Sequence, residues 1–105
     1  MIVVTNRIAV AKGHETAFEQ RFEGRAGLVE NRPGCRGFQL LRPLQGDHYM
    51  VMTWWESEAD FRAWTESEEF REAHRRRPPK ELFAGPNVFE MHEVIQRVDP
   101  NPTVT

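Results

Sequence analysis

An α+β domain built strand–helix–strand–strand–helix–strand follows from three features of this 105-residue chain. Residues 2–10 alternate side chains with the two-residue period of a strand. Residues 57–74 repeat apolar side chains at helical spacing, behind serine caps and ahead of Pro78-Pro79. Three more stretches, 36–43, 48–56 and 88–98, carry apolar, aromatic or β-branched residues between turn signals. That order is the ferredoxin-like arrangement, a four-stranded antiparallel sheet with its helices on one face.

Each element has its own local reason. In the first strand Ile2, Val4, Asn6, Ile8 and Val10 share one face, with Val3, Thr5, Arg7 and Ala9 on the other. Gly13 punctuates it, and residues 14–31 follow as a helix carrying Phe18 and Phe22 one turn apart, fraying near Gly24 to Gly27. Arg32-Pro33-Gly34 is a turn signal ahead of the second strand, and Gly46 makes the turn into the third. Ser57 caps the next helix with Asp60 three residues on, and Ser67 is a second cap within the same run. Glu68 and Glu69 follow that cap, His74 to Arg77 end the run with cations, and Pro78-Pro79 forbids continuation. Residues 78–87 are a loop and residues 88–98 the fourth strand. One domain spans 1–98, and residues 99–105, with two prolines and no anchor, form a flexible tail.

The third strand is apolar on both sides. Tyr49, Val51 and Trp55 face one way; Met50, Met52 and Trp54 face the other. One helical layer covers a single face, so the second implies a two-fold homodimer packed through that face.

Composition excludes several functions. With 14 basic against 16 acidic side chains the net charge is −2, which supplies no field for nucleic acid. No apolar stretch approaches the length of a membrane span. An alternating N-terminus is unlike a signal peptide, and the single Cys35 suits a reducing cytoplasm. The four histidines, at 14, 48, 74 and 92, lack the spacing of paired metal ligands. No Ser-His-Asp logic and no glycine-rich phosphate loop is present.

A few residues stand out against this background. Asn6 lies on an apolar strand face, where a polar amide is either bonded to backbone or aimed into a cavity. His74 ends the second helical run; it is either a surface histidine at a helix C-terminus or a single neutral imidazole able to hold iron. Trp64 lies ten residues earlier, roughly 80° away on a straight helix. A break near Ser67 lets both face one groove. Arg21 and Arg25 flank Phe22 on the first helix, as a solvated face or as partners for carboxylates at a pocket mouth. The Arg75–Arg77 run is a helix C-terminal charge cluster.

Thr5-Asn6-Arg7, GFQLLRP (37–43), WWES (54–57) ahead of FRAW, and EEFREAH ending at His74 resemble the IsdG-type haem-degrading monooxygenases. These belong to the antibiotic biosynthesis monooxygenase (ABM) superfamily, which shares a dimeric ferredoxin-like fold. The resemblance covers the chain to about residue 98, and the Asn…Trp…His constellation is its most specific part. It implies that Asn6, Trp64 and His74 are catalytic, with His74 the axial ligand of the haem iron. Asn6 would donate a hydrogen bond on the distal side, and Trp64 would press the ring out of plane. It further implies that Arg21, Phe22, Arg25 and Phe70, with His74, bind the haem, and that loop 78–87 closes over it. Haem would be both substrate and cofactor, consumed with O2 and electrons from an unidentified reductase, with release of iron. Two other functions stay open on the residues alone: a cofactor-free monooxygenase of an aromatic substrate, and a haem carrier or sensor without turnover.

Overall fold

The computed structural model describes residues 1–25 and 27–100. It contains β1 (Ile2–Ala9), α1 (Glu15–Glu23), β2 (Cys35–Leu41), β3 (His48–Trp55), α2 (Glu58–Thr65), α3 (Glu68–Ala73) and β4 (Val88–Glu93), with short 3-10 turns at Val29–Asn31 and Lys80–Leu82. The strands form one antiparallel sheet in the order β2-β3-β1-β4.

Alternation along β1 decides where the core lies. Val4 and Ile8 are buried, and each anchors a separate apolar cluster. Val4 packs with Trp55 and Trp64, joined by Phe61 and Phe70 from α2 and α3 and by Leu28 and Val29. Ile8 packs with Phe18 and Tyr49, joined by Phe22, Leu40 and Phe83. The opposite face carries Val3, Met50, Met52 and Trp54, half-buried and belonging to neither cluster.

Two element boundaries differ from the sequence-based expectation, at the ends of the first helix and the fourth strand, whereas the break expected at Ser67 is present. The first helix stops at Glu23 because Gly24 follows and Gly27 takes a left-handed φ of 70°. The 57–74 run is two helices, because the Ser67 hydroxyl closes one and opens the next. It donates to the Trp64 carbonyl at 2.6 Å and accepts from the Phe70 N–H at 3.1 Å. The fourth strand ends at Glu93 rather than near residue 98. Glu93 pairs with Ile2 at the end of the β1–β4 ladder, and Val94 N–H reaches Met1 O at 2.9 Å beyond it. Ile95 and Val98 are consequently 91% and 81% exposed.

Turn chemistry fixes the remaining joints. Gly34 adopts φ 83°, and a Cβ there would collide with the Asp60 side chain at the start of α2. The loop after α3 is tied back by Ala11 N–H to Leu82 O at 2.7 Å and Ala84 N–H to Ala9 O at 2.9 Å, with Leu82 buried.

A polar clasp fastens α1 to the β2–β3 hairpin. Glu19 accepts from Arg42 Nε at 2.8 Å and from the Tyr49 hydroxyl. Hydrogen bonds from Arg42 and then Tyr49 pull the Glu19 pKa from 4.5 down to about 2. A carboxylate whose folded pKa is depressed stabilises fully above its unfolded pKa and loses that stabilisation as pH falls through the folded value.

In urea unfolding, Glu19→Gln is therefore less stable than the unaltered protein at pH 7, and the gap closes between about pH 4.5 and pH 2. A gap independent of pH contradicts the clasp. Ser67→Ala loses about 1 kcal/mol in the same assay, the usual worth of a helix cap. An unchanged midpoint would mean that its hydroxyl does not join α2 to α3.

Candidate active site

Asn6 lies on β1 between the two clusters, two residues from Val4 and two from Ile8. Its neighbours across the sheet are Val51 of β3 and Phe89 of β4. Its Oδ1 is buried and has no hydrogen-bond partner. An amide's oxygen and nitrogen are interchangeable in placement, so this position can equally present an N–H donor. Sequence analysis left two fates for this amide, and no hydrogen bond to backbone is present among the described residues.

Trp64 is buried at the end of α2, edge-on to Phe70 with ring centroids 5.4 Å apart. Phe70 in turn stacks on the His74 imidazole at 4.0 Å. His74 is the C-cap of α3 and exposed, with Nδ1 2.7 Å from the Phe70 carbonyl oxygen. A carbonyl only accepts, so Nδ1 carries the proton and the Nε2 lone pair is left for a ligand. The break at Ser67 thus places Trp64, Phe70 and His74 in one continuous aromatic stack.

The facing wall comes from α1. Arg21 Nη2 donates to the Arg76 carbonyl at 3.0 Å, joining α1 to the segment just past His74. Phe22 packs on Phe18 at 5.2 Å and Phe38 at 6.4 Å. Arg25 sits with its guanidinium 4.1 Å over the Phe38 ring and is held by Glu30 at 2.7 Å. Asn6 thus shares the sheet face of Val4 and Ile8, Trp64 packs in the Val4 cluster and Phe22 against the Ile8 cluster, while Arg21 and His74 are exposed.

Sequence reading did not single out Phe89 or Glu30. Phe89 lies opposite Asn6, stacks on Phe61 at 5.9 Å and is 57% exposed. Its alternation with Met91 on β4 was the available signal. Two open depressions lie elsewhere. One of about 800 Å³ adjoins Trp54, Arg36 and Arg97; one of about 460 Å³ adjoins Glu56, Met91 and Glu93. Neither includes Asn6, Trp64 or His74.

The donor set suits a metal that brings its own equatorial ligands. Among the described residues no three His, Cys, Asp or Glu side chains cluster to chelate a bare ion. A single imidazole with a fixed tautomer, in a chain that also carries an amide whose buried Oδ1 has no partner, suits a metalloporphyrin.

Comparison with known proteins gives the arrangement its relatives. The antibiotic biosynthesis monooxygenase family model matches residues 1–76, which takes in Asn6, Trp64 and His74. A heme oxygenase (mycobilin-producing) of Mycobacterium tuberculosis is 39% identical over 95 residues, 90% of each chain. A heme oxygenase (staphylobilin-producing) of Staphylococcus haemolyticus is 41% identical over 80 residues, 73% of this chain and 76% of the other. The solved structure of the heme-degrader MhuD from Mycobacterium tuberculosis, with two hemes bound in its active site, superposes with a TM-score of 0.78 at 38% identity. It covers 94% of this chain and all of that one. The chain belongs to the antibiotic biosynthesis monooxygenase family, and within it to the group of haem-degrading monooxygenases.

Proposed function

We propose that the protein opens the haem ring with O2 and electrons from an external donor and releases the iron. The observation that carries this is 38% identity across 94% of the chain to a structure holding hemes in its active site. The buried Asn6 Oδ1, which has no hydrogen-bond partner, supports it independently. Bound haem supplies both the ring that is cut and the iron centre at which O2 is reduced.

His74 holds the iron through Nε2. The Phe70 carbonyl keeps the proton on Nδ1 and strengthens Nε2 as a donor, while the Phe70 ring fixes the imidazole plane. Asn6 stands across the slot and donates a hydrogen bond on the face where O2 enters. In a dry pocket that bond counts for more than in water, because no solvent competes for it. Trp64 is locked by its cluster and edge-on to Phe70, so it does not yield when a flat ring is pressed against it. A rigid indole there would press on a bound macrocycle rather than move aside. Phe22 and Phe70 give apolar contact, and Arg21 and Arg25 offer guanidinium groups to the acidic edge of the ligand.

The open sheet face is the surface of a two-fold dimer, formed by Val3, Met50, Met52 and Trp54 from each copy. Residues 1–98 act as one domain, and the unpaired Cys35 is at home in a reducing cytoplasm. The flexible tail expected at 99–105 lies largely in residues 101–105, outside the described residues. No helix among the described residues is long and apolar enough to cross a membrane.

Haemin added to the apo-protein gives a saturable Soret band that His74→Ala abolishes. With ascorbate in air the band bleaches and free iron appears. Asn6→Ala binds haemin within about threefold of the unaltered protein but turns over about 100-fold more slowly, in the range expected for loss of one positioned donor. A Soret band that persists through repeated reduction in air makes the protein a carrier, and Asn6→Ala turnover at the full rate removes Asn6 from the chemistry. Sedimentation velocity gives a dimer, and Trp54→Glu shifts it to monomer; a monomer without the substitution contradicts the assigned interface.

A further inference from the structure

Arg25 lies just past the end of α1, its N–H still bonded to the Phe22 carbonyl at 3.3 Å. Four residues earlier Arg21 reaches the segment that follows His74, so this end of α1 borders the proposed haem slot. The Arg25 guanidinium is already engaged. Its Nη1 lies 3.1 Å from both Glu30 carboxylate oxygens, and its Nη2 lies 2.7 Å from Oε1. Two guanidinium nitrogens on one carboxylate is the geometry with which arginine takes an acidic ligand.

Glu30 is held on a firm support. It rides the 3-10 turn Val29–Asn31, whose flanking Leu28 and Val29 pack in the cluster of Trp55 and Trp64. Asn31 Nδ2 closes the turn onto the Gly27 carbonyl at 3.0 Å. The underside of the guanidinium rests on Phe38. Both partners are reachable from solvent, the Arg25 side chain 26% and the Glu30 side chain 42% exposed. An incoming carboxylate can therefore displace Glu30 without unpacking the core.

We infer that Glu30 occupies on Arg25 the place of a ligand carboxylate, and so sets how tightly a carboxylate-bearing tetrapyrrole is held and how readily it leaves. The inference rests on the haem-binding function above. Without ligand, Glu30 keeps the guanidinium oriented and neutralised. With haem, a propionate and Glu30 compete for one fork of donors, and the ligand loses affinity by the strength of the pair it must break. Glu30 is thus a positioning residue that favours release of an acidic ligand over its retention.

The test is a Soret titration of the full-length protein and Glu30→Gln with haemin and with haemin dimethyl ester, whose carboxylates are blocked. Glutamine keeps the shape and one acceptor but removes the competing charge. Glu30→Gln binds haemin about twofold to fivefold more tightly than the unaltered protein, a gain of the size expected for a part-exposed ion pair. The ester binds both proteins equally, and the gain for haemin shrinks at high salt. In the Arg25→Gln background the Glu30 substitution has no effect on either ligand. Equal or weaker haemin binding by Glu30→Gln, with circular dichroism unchanged, overturns the inference, as does an equal gain for the ester. Glu30→Ala, read in the same way, guards against a peculiarity of the glutamine. If the unaltered protein binds neither porphyrin, the haem-binding function itself is wrong, a result separate from failure of the Glu30 arm alone.

Discussion

A buried amide oxygen without a partner costs about 1–3 kcal/mol in mutational series, and β1 carries one at Asn6 in the middle of its apolar face. Val4 on one side packs with Trp55 and Trp64, and Ile8 on the other packs with Phe18 and Tyr49. Neither cluster accommodates the amide, so the core divides around it. The helices divide between the halves, α1 with the Ile8 cluster and α2 and α3 with the Val4 cluster. In the proposed function a flat apolar ligand seated between these halves would supply that amide with a polar contact. A structure selected for stability alone has no reason to keep Asn6 there. Strain at one residue is better explained by the ligand that relieves it.

The second constraint is the hydroxyl of Ser67. By bonding Trp64 on one side and Phe70 on the other, it bends the run so that indole, phenyl and imidazole stack in sequence. His74 then inherits its orientation from packing and from the Phe70 carbonyl rather than from any metal ligand cluster. Asn6 is supplied by the sheet and His74 by a helix end. Their mutual placement depends on how α3 packs on the Val4 cluster and on the Arg21 bridge that ties α1 to Arg76. Glu30 adds a separate control at the other end of that wall, where charge rather than shape decides occupancy.

Much of this was legible in the residues themselves. Alternation in β1 exposed Asn6 as the misfit on an apolar face, and two serine caps located the helix break that brings Trp64 and His74 together. The two-faced apolarity of β3 pointed to an uncovered sheet surface, and the structure leaves Trp54 and Met52 outside both clusters. What was not legible depended on contacts between distant parts of the chain. The fourth strand shows strand periodicity through residue 98, but its pairing with β1 ends at Glu93, and periodicity carries no information about how far a partner strand extends. The Arg25 and Glu30 pairing needed the tight turn at Gly27 to fold back, and spacing alone left Arg25 looking like part of a solvated face. Phe89 was hidden because its role is set by the register that puts it opposite Asn6.

The central claim is that an amide from the sheet, an indole and an imidazole from the kinked helix pair enclose one tetrapyrrole. Crystallography of the haemin complex tests it most directly. The account predicts ring density between α1 and α3, with His74 Nε2 bound to iron, Trp64 against the macrocycle and the Asn6 amide on the opposite face. Haem seated instead in the depression beside Trp54, Arg36 and Arg97, with His74 still turned to solvent, would contradict it.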